Sequence, residues 1–78
     1  MRTTLVDTVL AMFLTFPDQV FHTDRVYDWA CLARQEPVTR PSLRGTLIRA
    51  TTVGHLERVR PGWYRVNPAF YKEVGTEE

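Results

Sequence analysis

The sequence predicts an α+β fold in which three helices are followed by a two-stranded β-hairpin and a short last helix. Three stretches within residues 4–53 repeat apolar residues at helical spacing, and residues typical of helix boundaries flank them. Two short runs of alternating apolar and charged residues then enclose Pro61 and Gly62, the pattern of a hairpin. We therefore expect a single domain over residues 1–78, with a core of 4–67 and a terminal segment of 68–78.

The first helix is predicted from about Leu5 to Phe16, with Thr4 as its N-cap and Pro17 after its end. More than half of its circumference is apolar, so it needs two surfaces to pack against. The narrow polar strip that remains is formed by Asp7, Thr8, Ala11 and Thr15.

Val20 and Phe21 form a short β-like pair before a second helix, predicted over about 24–35 with Thr23 as its N-cap. The inward residues of the second helix are expected to be Val26, Trp29, Ala30 and Ala33. After a break at 35–37, a third helix is predicted over about 40–53, capped by Thr39 and stopped by Gly54. Its inward stripe is Leu43, Leu47 and Ala50, and Pro41 lies in its first turn.

Side-chain alternation divides the hairpin into two faces. Val59, Tyr64 and Val66 are expected to face the core, and Arg60, Trp63 and Arg65 to lie nearer solvent. Asn67 and Pro68 then begin the last helix, which has Phe70, Tyr71 and Val74 on one side.

The charge is unevenly distributed along the chain, although the net charge is only +1. Residues 40–65 carry six arginines against one glutamate, a net of +5, whereas the segments before and after are acidic. A basic segment within a nearly neutral chain indicates a surface for an anionic partner, with nucleic acid as the leading candidate.

The predicted order of helix, short strand, helix, helix and hairpin is that of a winged helix-turn-helix domain, in which the hairpin is the wing. The segment SLRGTLIRATTVGHLERVRPGWYRV resembles the third helix and wing of small bacterial and phage regulators. It is also similar to the N-terminal winged-helix domain of abortive-infection antitoxins. The matching positions are Leu43, Leu47, Gly54, Leu56, Gly62, Tyr64 and Val66. The resemblance implies a DNA-binding domain.

The third helix carries the strongest functional signal. Gly45 lies in the middle of its predicted outer face, where glycine costs about 1 kcal/mol relative to alanine. We interpret this glycine as allowing close approach to a DNA groove, with packing of another helix or neutral variation as the alternatives. The predicted DNA-binding residues of the helix and wing are Thr39, Arg40, Ser42, Arg44, Gly45, Ile48, Arg49, Thr52, Arg58, Arg60 and Arg65.

We therefore expect a cytoplasmic, sequence-specific double-stranded DNA-binding protein, either a transcriptional regulator or an architectural factor, without a sensor domain. The alternative is a winged helix used for protein–protein interaction in a polymerase or nucleoprotein assembly. The broad apolar face of the first helix further predicts a homodimer, formed through Val6, Leu10, Leu14, Phe70 and Tyr71.

Other function classes have little support in the sequence. There is no Gly-rich phosphate loop and no nucleophile–base pair, so we expect no enzyme activity, cofactor or small-molecule ligand. His22, Cys31 and His55 lack the spacing of metal ligands, so no metal site is expected. Cys31 is the only cysteine and cannot form an internal disulfide, and no apolar run is long enough for a membrane span.

Overall fold

The computed structural model describes residues 4–34 and 37–75. Its elements are α1 (Leu5–Thr15), β1 (Phe21–His22), α2 (Thr23–Arg34), α3 (Arg40–Thr52), β2 (Leu56–Arg60), β3 (Trp63–Val66) and α4 (Pro68–Gly75). The strands form one antiparallel sheet in the order β1-β3-β2. This layout matches the winged-helix topology and confirms the predicted α+β class. Residues 35 and 36 of the predicted helix break lie outside the described residues, and so do residues 76–78 of the frayed end that the sequence predicts over 75–78.

Local hydrogen bonds fix the starts of α1, α3 and α4 as the sequence predicts. In each case a side-chain oxygen accepts a backbone N–H of the first helical turn at 2.9–3.2 Å, which satisfies a donor that has no partner within the helix. The capping residues are Thr4, Thr39 and Asn67. At the other end of α3, Gly54 has a φ of 91° and ends the helix in the left-handed conformation expected of it.

The start of α2 differs from the prediction. Thr23 is its first residue and not its N-cap, because the ring of His22 takes the capping role. The backbone N–H of Asp24 donates to His22 Nδ1 at 3.1 Å. At the C-terminal end of α2, Ala33 is exposed, so the prediction that it faces inward is wrong. Ala33 lies in the last turn, and Ala30 is the last residue of α2 that is buried in the core.

The core lies between the three long helices and the inner side of the sheet. Its buried hydrophobic residues are Val9, Met12, Phe13, Val26, Ala30, Val38, Leu43, Leu47, Ala50, Leu56, Tyr64 and Val66. Thr8 and Thr46 are buried with them. The hydroxyl of Thr8 donates to the carbonyl of Thr4, and that of Thr46 donates to the carbonyl of Ser42, so neither buried hydroxyl is unpaired. The prediction that Thr8 lies on an exposed polar strip is therefore wrong.

The hairpin corrects the expected position of Val59, which is 48% exposed. Arg58 lies opposite Tyr64 and Arg60 lies opposite Trp63, so Val59 is the extra residue of a β-bulge. Pro61 fixes its own φ near −65°, which excludes the primed turns that match the twist of the strands. The bulge accommodates this mismatch and turns the Val59 side chain away from the core.

β1 forms one residue later than predicted, at Phe21–His22, and pairs with β3. Phe21 lies opposite Tyr64 and His22 lies opposite Trp63, so the strand before α2 and the wing belong to the same sheet. Phe21 also packs edge-on against Phe13 of α1 with 5.5 Å between ring centroids. β1 thereby fixes the wing relative to the helices.

The apolar face for which a partner was predicted is partly covered by the chain itself. Val6, Leu10 and Leu14 are half-buried, and the two leucines pack against the core. On α4, the ring of Phe70 lies 4.2 Å from the ring of His55, whereas Tyr71 is exposed. The homodimer through this face stays a prediction. Among the described residues, no helix combines the length and apolar character needed to cross a bilayer.

Candidate nucleic-acid interface

The outer face of α3 is exposed because the opposite stripe is buried in the core. Leu43, Leu47 and Ala50 anchor the helix, as the sequence predicts. The exposed side chains of the predicted site on α3 are Arg40, Ser42, Arg44, Ile48, Arg49 and Thr52. Ile48 is 50% exposed in the middle of this face. This face is available to a partner.

A groove of about 390 Å³ lies between α3 and the wing. Arg40, Arg44 and Ile48 line its α3 side, and Arg58 lines its wing side. Its full lining is Thr23, Arg40, Leu43, Arg44, Leu47, Ile48, Arg58, Pro61, Gly62 and Tyr64, without a carboxylate. The fold therefore brings together three of the predicted arginines around one open groove.

Arg40 differs from the other two arginines because its charge has a partner within the fold. Its Nη1 donates to Asp24 Oδ1 at 2.9 Å, and its guanidinium lies 4.4 Å from the ring centroid of Tyr27. The hydrogen bond to Asp24 raises the pKa of Arg40 above its ordinary value. These contacts fix the guanidinium beside the groove.

Gly45 and Arg49 are neighbours on the outer face of α3. A β-carbon at residue 45 would lie 3.7 Å from Arg49 Nη1, an ordinary contact distance with the end of a flexible side chain. The helix packing therefore does not require glycine at this position. The alternative explanation, that Gly45 admits another helix of this chain, has no support among the described residues.

The tip of the wing carries Arg60, whose guanidinium lies 5.3 Å from the ring centroid of Trp63. Trp63 in turn packs edge-on against the ring of His22 at 5.0 Å. The backbone N–H of Thr23 donates to the carbonyl of Gly62 at 3.0 Å. These contacts fix the wing tip to the start of α2 and give the half-buried Trp63 a structural role.

Arg65 lies apart from the groove. Its Nε donates to Glu57 Oε1 at 2.7 Å, and the two residues are cross-strand neighbours in the hairpin. Because alternate residues point to opposite faces of a strand, Arg65 lies on the face opposite Tyr64 and Arg58. Of the three wing arginines predicted to bind DNA, Arg58 and Arg60 have no acidic partner among the described residues, whereas Arg65 has one.

The predicted hydroxyl groups at the site are partly engaged. Thr39 Oγ1 accepts the backbone N–H of Ser42, and its own proton remains free to donate. The hydroxyl of Thr52 donates to the carbonyl of Ile48 at 2.9 Å, within the helix. Ser42 is exposed in the first turn, beside backbone N–H groups that suit an anion.

Sequence reasoning missed His22, which it considered only as a metal ligand. Its ring caps α2 through Nδ1, and Nε2 would lie 3.2 Å from a β-carbon at Gly62. Glycine at the turn therefore provides space for this ring as well as a φ of 84°. No local pattern indicates such a contact, because residues 22 and 62 meet only when β1 pairs with β3. No cluster of three metal-ligating side chains occurs within residues 4–34 and 37–75.

No protein-family model, curated protein or solved structure matches this chain. The order and pairing of the chain's own elements match the winged-helix layout.

Proposed function

We propose that this chain binds double-stranded DNA, with α3 in the major groove and the wing along the adjacent backbone or minor groove. By occupying or bending DNA the chain would act as a transcriptional regulator or an architectural factor.

The observation that carries the proposal is the position of the unpaired positive charge. Arg44, Arg49, Arg58 and Arg60 form no ion pair within the described residues, and all four are exposed on α3 or the wing. Arg65, on the other face of the hairpin, is paired with Glu57. Exposed arginines without counter-charges suit an anionic partner, and the guanidinium group matches the geometry of phosphate.

Each element suggests a distinct role at the interface. Arg44 and Arg49 flank Gly45 and are long enough to reach guanine edges, while Ile48 suits contact with a thymine methyl group. Arg60 at the wing tip is placed for a phosphate or the minor groove. Arg58 lies across the groove from Arg44, where it suits the phosphates beside α3.

The experiment is a fluorescence-anisotropy titration of mixed-sequence duplex DNA with the protein at about 50 mM and about 200 mM salt. DNA binding through several phosphate contacts predicts an affinity that falls about 10³-fold or more between the two, for six or more contacts. Absence of binding at the lower salt concentration contradicts the proposal. Binding that does not depend on salt contradicts it as well.

The second candidate is a protein-interaction module, which the half-exposed Ile48 favours. Two variants separate it from DNA binding: Ile48→Ser removes the apolar contact, and Arg44→Ala removes the charge. A protein interface that has Ile48 as its central apolar anchor predicts the larger loss of affinity for Ile48→Ser. DNA binding instead predicts the larger loss for Arg44→Ala, together with a shallower salt dependence.

A further inference from the structure

A second surface of the molecule has exposed apolar residues beside a groove. It is an open groove of about 510 Å³ between the end of α1, β1 and the outer side of α2. Leu32 is 80% exposed at its edge, Phe16 is 47% exposed, and Phe21 and Trp29 form half-buried walls. We call this surface the α1–α2 groove. None of its lining residues lines the groove between α3 and the wing.

Two opposite charges lie on the rim of the α1–α2 groove, one helical turn apart on α2. Arg25 and Asp28 are both exposed. Neither forms an ion pair with the other or with any described residue. When two copies of this surface face each other, the arginine of each can meet the aspartate of the other, and the exposed Leu32 of each can enter the groove of the other.

We propose that the occupant of the α1–α2 groove is a second copy of this chain, placed by a two-fold axis so that the α2 helices run antiparallel. In that arrangement Arg25 faces Asp28 of the partner subunit, and by symmetry the reverse pair forms as well. The same register brings Leu32 to the start of α2 of the partner subunit, beside its groove. Each copy thus supplies the leucine side chain that fills the groove of the other.

This dimer uses a different surface from the one that the sequence predicted. The leucines of the predicted face already pack against the core, and Phe70 already stacks on His55, whereas Leu32 is exposed to solvent. The inference goes beyond DNA binding and does not depend on it. Pairing through α2 leaves both α3–wing grooves uncovered, so the dimer can present two DNA-binding surfaces.

Sedimentation velocity over a concentration series up to about 100 µM tests the proposal. We expect the unmodified protein to dimerise. Leu32→Glu should raise the dimer dissociation constant at least about tenfold. The matched control is Val53→Glu, at another exposed aliphatic residue outside the groove, which should leave the dimer intact. Circular dichroism checks that each variant is folded.

Charge reversal provides a test that does not depend on the stability of the Leu32 variant. Arg25→Asp and Asp28→Arg each place like charges across the two-fold axis and should weaken the dimer. The double variant restores opposite charges and should recover it. A protein that is monomeric at about 100 µM overturns the proposal. A dimer that none of these variants weakens also overturns it. If Tyr71→Glu dissociates that dimer, the interface is the face predicted from the sequence.

Discussion

Arg49 lies over Gly45 on the outer face of α3, with its Nη1 3.7 Å from the place where a β-carbon at residue 45 would lie. That distance is an ordinary van der Waals contact, so alanine fits at residue 45 without moving the backbone. Because glycine in a helix interior costs about 1 kcal/mol relative to alanine, the fold alone would favour alanine here. Close approach of a partner to the helix backbone would account for glycine here, with neutral variation as the alternative.

Gly45→Ala should therefore stabilise the protein and weaken its binding to DNA. The free energy of unfolding should rise by about 1 kcal/mol, measured by urea denaturation. DNA affinity should fall by about tenfold, equivalent to about 1.4 kcal/mol, because the added methyl group keeps the helix from the groove. A variant that is more stable and binds DNA unchanged would show that Gly45 has no role in the interface.

The matched control reverses the substitution at an exposed site on another helix. Ala33→Gly in α2 should lower the free energy of unfolding by up to about 1 kcal/mol and leave DNA binding unchanged. Together the two variants separate helix stability from DNA affinity.

Arg44→Ala and Arg49→Ala should each reduce DNA affinity by about 1–3 kcal/mol if the side chain contacts a base. Both residues are exposed and unpaired, so neither change should disturb the fold. Lys72→Ala on α4 removes one positive charge elsewhere and should have little effect on anisotropy titrations. If the double arginine variant is folded and binds DNA with unchanged affinity, α3 is not the DNA-binding helix.

Arg58 and Arg65 lie on opposite faces of the hairpin, so their replacement should have different effects on DNA affinity. Arg58→Ala should weaken binding to all sequences and reduce the salt slope by about one, because Arg58 lines the α3 groove without an acidic partner. Arg65→Ala should change DNA binding little, since Arg65 is paired with Glu57 on the other face. Salt titrations of both variants measure this, and the reverse ranking would place the DNA on the outer face of the hairpin.

Removal of Asp24 should strengthen DNA binding. Its carboxylate engages Arg40 at 2.9 Å, so Asp24→Ala frees a cation beside the groove and should steepen the salt slope by about one. The stability cost should be at most about 1 kcal/mol, because both side chains are largely exposed. Asp7→Ala, which also removes an acid from a first helical turn, is the control and should leave DNA affinity unchanged. Weaker binding by the Asp24 variant would mean that the ion pair positions Arg40 for DNA.

The sequence predicts the elements that depend on local chemistry. The caps Thr4, Thr39 and Asn67 and the stop at Gly54 require only their own turn of chain, so their residue types are sufficient signals. The buried stripe of α3 follows from helical periodicity. Helical periodicity wrongly predicts an exposed Thr8, because it treats threonine as a polar residue. The hydroxyl of Thr8 donates to the carbonyl four residues earlier, so the side chain can be buried.

Features that depend on contacts distant in sequence were not predictable. The bulge at Val59 depends on the fit between the turn at Pro61 and the twist of the two strands. The cap from His22 depends on the pairing of β1 with β3. The same holds at the candidate site. The sequence identifies the arginines, but only the fold shows that Asp24 neutralises Arg40 and Glu57 neutralises Arg65, because each pair joins separate elements.

NMR chemical-shift mapping most directly tests the claim that α3 and the wing form a DNA-binding surface. A ¹⁵N-labelled sample is titrated with a short duplex at low salt, and the amide shifts are followed residue by residue. We predict the largest changes at Arg44, Gly45 and Ile48 and at the wing tip around Arg60, with little change on α4. Shifts that are absent, or that cluster on α4 and leave α3 unchanged, would contradict the account.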